Sequence, residues 1–224
     1  MQCIIARLFF HFHEVPMLRS VAVARIKQGL AFRRNLDDVC VGALQEAQRE
    51  FEIGTTLPWF LIAKDQSLLT VADTREIALP TDFIRFVEDE GPRYVTTDGV
   101  LYFALRPFAE LDYYYRSTDS GAPAALALRS DSLAVFPLPD AEYTITASYY
   151  AKAAVLDSDI ENLWLQYFPD LLISRAGMIV AGDIEHAAAE QKFSAKYDMW
   201  LKRYFSEMAA REDSNAPHQM GVNN

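Results

Sequence analysis

The chain has 224 residues, 51% hydrophobic and 12% aromatic, enough to bury a sizeable core in one domain or two closely packed lobes and too apolar for a disordered chain. Its formal net charge of -10 repels phosphate and argues against general nucleic-acid binding. The charge is uneven, because residues 1–35 hold six basic and one acidic side chain and the acidic excess falls on the rest.

The first 16 residues, MQCIIARLFFHFHEVP, resemble a signal peptide only superficially: Arg7, His11 and His13 interrupt the apolar run and no small-residue cleavage site follows. No apolar run reaches the roughly 18 residues of a membrane span, so composition alone points to a cytoplasmic protein. Residues 1–16 read as an N-terminal extension or an over-called start, since an ordinary helical pattern begins at Met17. Two cysteines, Cys3 and Cys40, are too few for a disulfide framework and read as reduced structural thiols.

Residues 20–33 suggest a short helix with Val21, Ile26 and Leu30 inward, weakened by Gly29. A stronger one follows, with Leu36, Cys40, Leu44, Ala47 and Phe51 on one face, Asn35 as N-cap, Asp37 and Asp38 at its positive end and Gly54 as the stop. The next stretch, TTLPWFL at residues 55–61, holds Leu57, Trp59, Phe60 and Leu61 around Pro58. It is either a plug for the chain's own core, the preferred reading, or an anchor for another subunit.

Between residues 62 and 155 the apolar runs are short and β-rich: SLLTV, EIAL, FIRFVE, LAVFPL and YTITASYY. Turn signals at Asp98-Gly99, Ser120-Gly121 and Pro139-Asp140 separate them, and Tyr143, Ile145, Ala147 and Tyr149 alternate with polar neighbours. These features predict an antiparallel sheet of hairpins, with a helical turn at 107–116 packed on it. Helices return at Asp159, read as the cap of a helix with Ile160, Leu163, Trp164 and Tyr167 inward; Pro169 suits the first position of the next helix. After a break at Gly182, a long helix from Asp183 carries Ile184, Ala188, Phe193, Tyr197, Trp200, Tyr204 and Met208. Trp164, Trp200 and Phe51 are expected in one core. Past Glu212 helical periodicity ends.

The expected fold is therefore α+β: a bundle of about four helices, an inserted antiparallel β-rich region and an extended C-terminal arm. Its parts are an extension at 1–16, a first helical hairpin at 17–61, the β-rich insertion at 62–157, a second hairpin at 158–212 and the arm at 213–224.

Chemistry is sparse along this chain. His11 and His13 lack a third metal ligand nearby, and His186 and Glu190, one helical turn apart, read as a salt bridge before a metal pair. The run Asp112-Tyr113-Tyr114-Tyr115-Arg116 could stack sugars or bases, but consecutive helical residues point apart and packing is favoured. Glu88-Asp89-Glu90 before Gly91-Pro92 reads as a solvated hairpin tip rather than a catalytic carboxylate pair. There is no phosphate loop, nucleophile elbow, CxxC or HExxH, so the chain is read as no enzyme, with no metal and no cofactor.

Four phrases, ALQEAQREFE with TLPWFL (43–61), IALPTDFIRFVE (77–88), LAVFPLPDAEYTITASYY (133–150) and NLWLQYFPDLLISRAGMIVA (162–181), together resemble the head-to-tail adaptors of tailed bacteriophages, the short-tailed ones above all. The resemblance covers roughly residues 20–205; residues 1–16 depart from it. It implies a structural virion protein, a homo-oligomer assembled as a ring, usually a dodecamer, that joins the portal protein to the tail or nozzle protein in the neck between head and tail after assembly in the host cytoplasm. DNA would pass through without specific binding, and no membrane is involved. It further implies that a flexible C-terminal arm docks on the portal. The tail here has suitable length and composition, with Pro217, Met220, Val222, Asn223 and Asn224 as candidate arm residues, although no arm motif matches residue by residue. Trp59, Phe60, Trp164 and Trp200 are the candidate core or subunit-interface anchors. Two alternatives stand beside this reading: a tail-associated carbohydrate or receptor-binding module using Tyr113 to Tyr115, and a hydrolase using the acidic loop.

Overall fold

The structure, a computed structural model, describes residues 17–215 except positions 32, 34, 89, 97, 98 and 116–118, with side chains to Arg211. The class is α+β with antiparallel sheets, as expected. The chain divides into two compact units, a helical one within residues 1–48 and 154–213 and a β-rich one within 49–153.

The helical unit contains α1 (Arg19–Gly29), most of α2 (Asp37–Ile53), the short α4 (Leu163–Tyr167), α5 (Pro169–Asp183) and α6 (Ala187–Asn215). Five helices contribute, one of them little more than a turn, where the sequence reading counted about four. α1 buries Ala22, Val23 and Ile26, and Leu30 at its C-cap is buried too, while Val21, expected inward, lies outside. Alanine and valine alternate through this stretch, so the stripe can shift by one residue without losing apolar area. Gly29 is not the weakness it looked: with Gly177 of α5 it leaves the space that the Phe193 ring of α6 fills. α2 buries Cys40, Ala43, Leu44 and Ala47, and ends at Ile53 beside Gly54. Its first bond runs from Cys40 N–H to Leu36 C=O, so Leu36 holds the cap position expected of Asn35, which adopts a left-handed φ of 62°. Lys27 Nζ donates to both Asp37 carboxylate oxygens at 3.0 Å, tying α1 to the start of α2.

Pro169 opens α5 as expected. The break after α5 falls at Ile184 and Glu185, where φ reaches 53°, instead of at Gly182. α6 therefore starts at Ala187, and Ile184 belongs to the preceding cap. It continues to Asn215, past the Glu212 at which periodicity fades, because no breaker precedes Pro217.

The β-rich unit holds β1 (Ile62–Leu69), β2 (Glu76–Ala78), β3 (Phe83–Phe86), β4 (Arg93–Thr96), β5 (Gly99–Tyr102), α3 (Phe108–Tyr114), β6 (Ala125–Arg129), β7 (Ser132–Phe136) and β8 (Thr144–Ala151). One sheet runs β1-β8-β4-β5, with β3 sharing the β4 side of β8; the other runs β2-β7-β6. Every pairing between these strands is antiparallel. The alternation in β8 is real: Ile145, Ala147 and Tyr149 join Leu68, Ile77, Phe86, Phe103, Leu126, Leu133 and Val135 in one core. Ser148 breaks the pattern, buried because its Oγ accepts the Asp65 N–H at the bulge of β1. β7 is buried throughout, since Leu133 and Val135 face that core while Ala134 and Phe136 face Leu111 of α3. The helical turn at 107–116 thus packs on the sheet as read.

Candidate functional surface

The aromatic residues singled out from sequence separate by burial. Trp164 is fully buried, its ring centroid 6.3 Å from Tyr204, and Phe168 meets Tyr204 edge to face at 5.2 Å. Trp200 and Phe51, expected in the same core, are only half-buried; the Arg203 guanidinium covers the Trp200 ring at 5.0 Å. Trp200 precedes the buried Tyr204 by four residues on α6, which sets it about 40° round on the same side of the helix, at the rim, and spacing alone cannot separate rim from core. In TTLPWFL, Leu57, Phe60 and Leu61 are buried, and the half-buried Trp59 meets Phe60 edge to face at 5.8 Å.

Of the polar side chains given possible chemistry, His186 serves a helix end, and Asp112 pairs with Arg75 at 3.0 Å. His186 Nδ1 accepts the Ala189 N–H at 3.3 Å and its carbonyl accepts the Glu190 N–H, so it caps α6. Asp159, read as the cap of the following helix, accepts the Ser20 N–H at 2.8 Å and caps α1 instead. That bond, aided by Arg19, holds its carboxyl below the usual range. The cap of α4 is Asn162, which sequence reading missed: its Oδ1 accepts from Trp164 N–H at 2.9 Å and Leu165 N–H at 3.2 Å. Cys40 is buried, and burial together with the Asp37 charge pushes its thiol up to about 11 against the opposing pull of Lys27. No group of three or more His, Cys, Asp or Glu among the described residues could hold a metal ion. Cys3, His11, His13, Asp89 and the arm residues Pro217, Met220, Val222, Asn223 and Asn224 lie outside the described residues.

The surface that stands out lies on the β-rich unit. Tyr113 and Tyr114 are 85% and 68% exposed, with ring centroids 5.7 Å apart; Tyr115 turns inward against Phe136. Tyr114, Tyr102, Arg106 and Leu111 line a cleft of about 460 Å³. Beside it, Val95, Val100, Leu101 and Tyr102 of the β4–β5 hairpin are exposed. Sequence reading flagged the tyrosines but gave the hairpin no role, since exposure of an apolar strand depends on which strands lie beside it.

The model of the SU10 adaptor protein family matches residues 20–221. The chain belongs to that family. It is a bacteriophage head-to-tail adaptor, as the four sequence phrases implied. The SU10 adaptor match takes in all of α1 but Arg19, continues through α6 and runs past the last described residue, while residues 1–19 fall outside it. Comparison with curated proteins returned no match. Membership in the adaptor family implies association with portal and tail proteins, and adaptor families are in general structural rather than enzymatic. Among the described residues, no helix is long and apolar enough to cross a membrane.

Proposed function

We propose that this SU10 adaptor is a structural virion protein that forms a ring, a dodecamer in this reading, joining the portal to the tail and continuing the DNA channel. The family match over residues 20–221 carries the reading. Charge supports it: residues 49–153 hold sixteen acidic and nine basic side chains, an excess that lets DNA slide without sticking. The residues that follow α6, 216–224, form the portal-docking arm in this reading, with Met220 and Val222 as apolar anchors. Ordering such an arm costs about 1–2 kcal/mol per residue, so several arms must engage together. The test is size-exclusion chromatography with light scattering, with and without portal. A ring that appears with portal is expected; a chain monomeric in both conditions overturns the proposal. Truncation after Asn215 should leave a folded subunit that no longer stays on portal, and retention at wild-type level would move docking elsewhere.

A second reading, a carbohydrate or receptor-binding module, is favoured by one observation, the cleft between Tyr102 and Tyr114 with Arg106 at its wall. Glycan-array binding that disappears in Tyr114→Ala would support it, and an array without signal would remove it.

A further inference from the structure

We infer that the outer edge of β5, with the apolar face around it, seats a neighbouring copy of this chain, strand edge against strand edge. The inference rests on the ring proposed above and names the surface that builds it. β5 is the last strand of its sheet, and all four of its residues, Gly99, Val100, Leu101 and Tyr102, are exposed. An edge strand offers a row of unpaired N–H and C=O groups to any extended chain, and proteins that stay apart blunt such edges with lysine, proline or a bulge. β5 carries none of these. The other end of the same sheet does: β1 is bulged between Ala63 and Gln66, with Lys64 and Asp65 exposed and Asp65 at φ 51°. Past the bulge, Gln66 to Leu69 run in regular register with β8, and Leu69 and the following Val71 are exposed.

Side-chain parity makes the β5 face continuous. Val95 lies opposite Val100, while Tyr94, opposite Leu101, packs toward the core on the other side. Val95, Val100 and Tyr102 therefore share the outward face, and the cleft links Tyr102 to Tyr114 and through it to Tyr113. From their exposures these five side chains present roughly 650 Å², above the ~300–600 Å² largest patch of a typical lone protein and near the ~800 Å² each partner of a standard interface buries. Tyrosine and valine dominate this face, with Arg106 at the cleft and the half-buried Arg93 opposite Tyr102, and aromatic residues together with arginine are enriched at interface centres.

The occupant is a second copy because the two edges are different and belong to one sheet. A rotation that sets β5 against the Ser67–Leu69 end of the neighbour's β1 can repeat from copy to copy, the head-to-tail contact that closes a ring. β5 pairing with β5 would be self-complementary and would stop at two.

The test uses the full chain with portal. With Cys3 replaced by serine, a chain carrying both Val100→Cys and Leu69→Cys, treated with a short thiol cross-linker, should give a ladder of covalently joined copies, whereas either single variant on that background should not. Val100→Lys and Tyr102→Ser, both at exposed positions, should lower the ring fraction at least tenfold with thermal stability unchanged. Rings at wild-type yield in these variants, with no ladder from the double variant, overturn the inference and leave the ring proposal standing. Rings that form normally but lose the tail protein assign this face to that protein and overturn it too. If the wild-type chain forms no ring with portal, the proposed function itself fails, and the inference with it.

Discussion

The Phe193 ring lies so close over Gly177 that a Cβ built on the glycine would stand 2.5 Å from the ring edge. Gly29 leaves the same ring its space on the other helix, and Phe193 is only 3% exposed, so the ring has nowhere to move. Gly177→Ala should therefore destabilise the protein by about 1–3 kcal/mol despite the better helix propensity of alanine, and Phe193→Ala by about 3–5 kcal/mol. Urea unfolding measures both. A neutral or stabilising Gly177→Ala would show that the ring yields.

Asn162 joins four partners. Besides capping α4, its Nδ2 donates to Gln48 Oε1 at 3.0 Å and to Ala154 C=O at 2.6 Å, and the residue is 2% exposed. Asn162→Ala removes a cap and leaves buried polar groups unpaired, for an expected loss of about 2–4 kcal/mol. Asn162→Asp keeps the cap acceptor and loses the donor; its cost divides the two roles in the same denaturation series.

The tryptophans should separate as their burial does. Trp164→Ala empties a fully buried site and should cost about 3–5 kcal/mol. Trp200→Ala loses a half-buried ring and its cation contact with Arg203, for about 1–2 kcal/mol. Equal losses in thermal or urea unfolding would contradict the assignment.

Asp159 links pH to the start of α1. Its folded pKa is depressed, chiefly by the Ser20 N–H bond, so its contribution is present above the unfolded pKa and fades as pH falls through the folded one. Asp159→Ala should lower Tm at pH 7, and its gap to wild type should close as acid protonates the wild-type carboxyl. A gap independent of pH would mean that the carboxylate charge plays no part.

Periodicity, breakers and composition are local properties, and they carried the class of the fold. The apolar spacing of α2, the alternation in β8, Pro169 at the head of α5 and the helical turn at α3 were all legible, and the ordered phrases led to the adaptor family. What sequence could not supply was the identity of distant partners. Asp159 looks like the cap of the helix that follows it, yet it accepts from Ser20, 139 positions away in the chain. Gly29 reads as a weakness until Phe193 is seen above it. β5 reads as any short strand, and only the order β1-β8-β4-β5 shows that no described strand pairs on its outer side. Hydrogen-bond acceptors, shared space and strand edges are settled by which segments meet, and a one-dimensional pattern fixes what each segment needs without saying which neighbour provides it.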